Sequence, residues 1–111
     1  MQPSEIVRAV ESCFAEHPAG LVLPDGWFGR PYDNLHQLTA CTATGGTVRV
    51  ELDGQLSLEF EGSGTVAVRD GAGLVIRGFT SLLWVRRAYG GREIHRQSFA
   101  AGEVRFPAPP R

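Results

Sequence analysis

From about residue 35 onward the chain alternates apolar and polar residues, and turn-forming pairs interrupt it at Gly45-Gly46, Asp53-Gly54, Gly62-Ser63-Gly64, Asp70-Gly71 and Gly90-Gly91. Period-two alternation broken by such turns predicts half-buried antiparallel strands. Before it, Ile6, Val10, Cys13 and Phe14 recur at three- and four-residue spacing behind Ser4, an N-cap candidate, and Glu5. That spacing predicts an amphipathic helix over about 4–17, ended by His17 and Pro18, whose apolar stripe must lie on the sheet.

Register follows from the requirement that facing residues put their apolar sets on one side. Val48, Val50 and Leu52 match Phe60, Leu58 and Leu56 only through an odd loop or bulge at Asp53-Gly54-Gln55. The same arithmetic sets Val66 and Val68 opposite Phe60 and Leu58, then Leu74 and Ile76 opposite Val68 and Val66. Arg49 faces Glu59 on the other, solvated side. Leu82, Leu83, Trp84 and Val85 are apolar on both faces and predict a covered strand, entered through a bend at Gly78. The segments 92–99 and 103–106 are mostly polar and read as an edge before the Pro-rich tail, 107–111.

The expected fold class is therefore α+β: one N-terminal helix packed on an antiparallel β-meander of six or seven strands, forming a single domain over 1–111. Its 111 residues, 42% hydrophobic and 21% charged, suit one domain that needs no staple. No apolar run is long enough for a membrane span and no signal-peptide pattern begins the chain, so the expected location is cytoplasmic. Cys13 and Cys41 lie in apolar surroundings without metal spacing and read as free thiols. All eleven basic residues are Arg. The absence of Lys removes Schiff-base chemistry, lysine-bound pyridoxal phosphate and the P-loop lysine.

The stretch 24–36, PDGWFGRPYDNLH, crowds Trp27, Phe28 and Tyr32 among Asp25, Arg30, Asp33, Asn34 and His36, in a segment whose glycines and prolines forbid regular structure. Trp27 or Phe28 turned inward would plug the end of the core. Arg30, Tyr32, Asp33 and His36 turned outward would have the composition of a binding surface. The spacing of Arg30, Asp33 and His36 also admits an enzyme, with His36 as general base, Asp33 orienting it and Arg30 holding an anion, the site being completed across a homodimer interface.

Against catalysis, no nucleophile presents itself: Ser63 is a hairpin tip, and Thr80 and Ser81 lie in a strand. His36, His95, Asp33 and Cys41 share no metal-ligand spacing, and the glycines form no nucleotide loop, so neither metal nor cofactor is expected. Net charge is −1. It is unevenly spread: Glu51, Asp53, Glu59 and Glu61 lie in one acidic segment, and Arg86, Arg87, Arg92 and Arg96 in one basic segment with Glu93. A chain without Lys and slightly acidic is a poor match to nucleic acid. The functional expectation is a small binding module for a protein partner or a small anionic ligand, recognising it through Asp25, Trp27, Arg30, Tyr32, Asp33 and His36.

Overall fold

The computed structural model describes residues 1–27 and 34–109, with the backbone alone at Trp27. Helix α1 spans Pro3–Glu16 and buries Ile6, Val10 and Cys13, the stripe its periodicity predicts. It starts two residues earlier than an N-cap at Ser4 implies, with Gln2 in that place. Pro3 fits the first helical position, where a missing N–H costs nothing, and the Gln2 backbone N–H donates to Glu5 Oε1 at 3.0 Å. The extended conformation at His17, followed by Pro18, ends the helix.

Ten strands follow: β1 (Val22–Leu23), β2 (Gly26–Trp27), β3 (Leu38–Thr44), β4 (Thr47–Leu52), β5 (Leu56–Glu61), β6 (Val66–Asp70), β7 (Gly73–Arg77), β8 (Ser81–Arg87), β9 (Glu93–Phe99) and β10 (Glu103–Phe106). The class is α+β, as expected, but the strands form two five-stranded antiparallel sheets instead of one meander. Sheet I has the order β2-β1-β10-β7-β6 and sheet II the order β3-β4-β5-β8-β9. Helix α1 contacts β6 and β7 of the first sheet and β3 and β4 of the second, so it bridges the two.

The β4–β5 pairing has the inferred register: Val48 faces Phe60, Val50 faces Leu58 and Leu52 faces Leu56. Its three-residue loop places Asp53 and Gly54 at φ 56° and 66°. Arg49 faces Glu59, their charged atoms 3.7 Å apart. The next two hairpins need correction. β5 pairs with β8, not β6, because the chain leaves sheet II after Glu61 and enters sheet I; Thr65 Oγ1 ties that crossing by donating to the Gly62 carbonyl at 2.7 Å. In the β6–β7 hairpin Val68 faces Val75 and Ala67 faces Ile76, one residue away from the inferred register. A two-residue turn, Gly71-Ala72, makes the difference, and it turns Ala67 into the core while Val68 is exposed.

Strand β9 is an edge, as its polarity suggests. β10 is not: it lies at the centre of sheet I between β1 and β7, with Val104 and Phe106 fully buried. The core runs through both sheets, joining Ile6, Val10 and Cys13 to Val50, Leu58, Phe60, Ile76, Leu82 and Phe106. Phe14 is half-buried and meets Phe106 edge to face at 5.4 Å. Trp84 and Val85, on opposite faces of β8, are both buried, which satisfies the covered-strand expectation. Among the described residues no helix is long and apolar enough to cross a membrane.

Candidate functional site

Residues 34–36, the end of the 24–36 stretch, are held by a buried polar node. Residues Ala19 and His36 form a two-way backbone bridge, with N···O distances of 3.1 and 2.7 Å. The Asn34 side chain grips Leu21 from both ends: Nδ2 donates to the Leu21 carbonyl at 3.1 Å, and Oδ1 accepts the Leu21 N–H at 3.2 Å. These contacts fix the amide, so Oδ1 accepts from His36 Nε2 at 3.0 Å. The other ring nitrogen, Nδ1, lies 2.6 Å from Asp53 Oδ2, while Asp53 Oδ1 accepts the Gln37 N–H at 2.9 Å.

His36 therefore departs from its expected outward position: it is buried, 7% exposed, with both nitrogens engaged by groups of the protein. A general base needs a nitrogen within reach of a substrate proton. Here the ring instead cross-links three segments: the bridge to Ala19, the Asn34 amide and the β4–β5 turn. The carboxylate on Nδ1 is that of Asp53. Phe28, Arg30, Tyr32 and Asp33 lie outside the described residues, as does the Trp27 side chain.

The turn that opens the stretch docks elsewhere. Asp25, exposed in the β1–β2 turn, accepts a hydrogen bond from Gln97 Nε2 of β9 at 3.2 Å. This brings the turn onto one arm of the β8–β9 hairpin, which carries the basic segment. Gln97 pairs with Trp84 and His95 with Arg86, so these side chains share a face on which the Trp84 and His95 rings lie 4.7 Å apart. The β1–β2 turn that carries Asp25 and the basic segment, separate in the sequence, thus adjoin in space.

The arginines of the hairpin are not equivalent. Arg96 forks onto Glu93, the shortest contact being 2.7 Å, and this pairing holds the Glu93 carboxyl below its usual range. Arg87 donates to Ser57 Oγ at 3.0 Å. Arg86 and Arg92 are exposed and have no ion pair among the described residues. Tyr89 at the hairpin tip is 93% exposed and Ile94 is 46% exposed. Two uncompensated cations, an aromatic and an aliphatic group therefore face solvent together.

A concavity of about 650 Å³ beside the helix N-terminus, lined by Gln2, Ile6, Thr47, Phe60 and Ser63 among others, contains among the described residues no histidine or cysteine and neither Asp25 nor His36. Among the described residues no group of three potential ligands is placed to hold a metal ion. Both thiols are free, Cys13 buried and Cys41 half-buried. Burial raises both, and with a smaller contribution from the Glu11 carboxylate it pushes Cys41 up to about 12.

Asn34, Asp53 and Gln97 are the residues that sequence reasoning left out of the site. Asp53 carried a signal only as a turn former, and Gln97 carried none. Compared with protein-family models, with curated proteins and with solved structures, the chain matches none of them.

Proposed function

We propose that the protein is a small binding module that acts without turnover, its recognition surface being the 24–36 stretch together with the β8–β9 hairpin, which Asp25 contacts. The observation that carries this reading is the Asp25–Gln97 hydrogen bond, which joins the β1–β2 turn to a hairpin with uncompensated cations and an exposed tyrosine. A stretch whose sequence holds Tyr, Trp and Arg has the composition of energetic anchors in protein recognition. The engagement of both His36 nitrogens supports binding over general-base chemistry. Two free thiols raised by burial suit the reducing cytoplasm in which we place the protein.

The test is retention of a partner from host lysate on the immobilised protein, compared with the Arg30→Ala, Tyr32→Ala and Arg92→Ala variants. Melting temperatures within a few degrees of the parent, with at least one of these variants losing the retained partner, would support the reading. Undiminished retention by all three would remove the surface.

A further inference from the structure

We propose that the partner presents an extended acidic polypeptide segment, which adds to the open edge of β9 as a further strand of sheet II. The inference rests on the binding-module reading and adds the chemistry of what is bound.

Strand β9 is seven residues long and, among the described residues, has β8 as its single neighbour. A strand of this length offers about 23 Å of edge at roughly 3.3 Å per residue. The opposite edge of the sheet, β3, is equally long but has α1 packed against it. Among the described residues no helix packs on β9, and residues 93–96 and 98 are exposed. The devices that usually blunt an edge are sparse there. The strand holds no proline, its register shift is confined to the first residues of β9, where Ile94 falls between the paired Glu93 and His95, and the charge of Arg96 is taken up by Glu93 within the strand. An added strand would meet unpaired backbone groups, which supply affinity, and the side chain of Ile94.

Charge selects the occupant. Arg86 and Arg92 have no carboxylate partner among the described residues, and exposed His95 stands opposite Arg86. Carboxylates on the incoming segment would compensate cations that the fold leaves unmatched. A nucleic acid fits less well, since the edge also carries Glu93, the chain has net charge −1, and the cations gather at one end. A second copy of this chain fits less well because its own acidic strand β5 is enclosed between β4 and β8 and has no edge to offer.

The probe is a short capped peptide alternating Glu with Val, tested against the same peptide with Lys for Glu, the same peptide interrupted by Pro, and oligothymidylate. The expected result is millimolar or tighter binding of the acidic peptide that weakens with added salt, with amide shifts concentrated on β9 in NMR spectra. The Lys and Pro peptides should bind at least roughly tenfold more weakly, as should the acidic peptide to an Arg86→Ser, Arg92→Ser double variant. Absence of acidic-peptide binding, shifts centred away from β9, tighter binding of oligothymidylate, or self-association through β9 would each overturn the inference. The binding-module reading fails separately. If the lysate partner is still retained by the double variant but lost with Arg30→Ala or Tyr32→Ala, the module stands and the β9 assignment falls; retention unchanged in every variant removes both.

Discussion

His36 and Asp53, seventeen positions apart, are joined through Nδ1 and Oδ2 at 2.6 Å, and this contact fastens the segment after the aromatic stretch to the β4–β5 turn. Removing the ring would leave the buried Asn34 amide oxygen and the partly solvated Asp53 carboxylate each short of a donor. His36→Ala is expected to cost about 2–4 kcal/mol in urea unfolding. Asp53→Asn keeps an oxygen and tolerates the positive φ, and Asp53 is partly solvated, so its cost is expected to stay near about 1 kcal/mol. A His36→Ala loss below about 1 kcal/mol would show that the node does not hold the loop.

Phe14 anchors the helix by its edge contact with Phe106, yet the side chain is only half-buried. Phe14→Ala is therefore expected to cost about 2 kcal/mol, less than the 3–5 kcal/mol of a fully enclosed ring. Val10→Ala, at a site with no exposure, is expected to cost a similar amount despite the smaller change in volume. Denaturant midpoints of the two variants measure the comparison. A Phe14 variant as stable as the parent would detach the helix end from sheet I.

Gly78 and Gly71 both have positive φ, at 80° and 60°, but their surroundings differ. A Cβ on Gly78 would overlap the Gly64 carbonyl oxygen, whereas one on Gly71 would meet open space. Gly71→Ala should cost only the left-handed backbone penalty of about 1 kcal/mol, while Gly78→Ala should cost about 3 kcal/mol or prevent folding. Equal melting temperatures for the two variants would mean that the β7–β8 crossing is not closely packed.

The raised thiols make stability fall on the alkaline side. The unfolded Cys41 thiol loses its proton near its ordinary value of 9.0, whereas the folded one, pushed up to about 12 by burial, retains it. The stability this contributes is complete below about pH 9 and fades as pH rises toward 12. Cys41→Ala should flatten the decline in unfolding free energy over that window. In the folded parent at pH 8, both thiols should resist iodoacetamide and react once urea is added.

The sequence discloses pairing wherever a turn is short and both strands share a sheet. Val48 opposite Phe60 is such a case, because one face of each strand must be apolar and the Asp53–Gln55 loop admits only one alignment. Alternation states which face of a strand is buried but not which sheet it joins. Val66 and Val68 were therefore matched to Phe60 and Leu58, although the chain crosses to sheet I between them. β10 was mistaken for an edge because Glu103 and Arg105 look solvated, while Val104 and Phe106 alone supply its buried face. In the site, the basic segment was legible as a run of like charge. The contacts of His36 with Asp53 and of Asp25 with Gln97 were not, since each spans a long sequence interval that local spacing cannot report.

The central place of β10 bears on how the chain can fold as it is synthesised. Sheet II can assemble once residue 99 has emerged, but in sheet I β1 is joined to β7 only through residues 103–106. Until those residues leave the ribosome, the facing edges of β1 and β7 wait unpaired, with apolar residues such as Leu21 and Ile76 short of their final cover. Any delay in the emergence of residues 103–106 would prolong that interval and recruit chaperones.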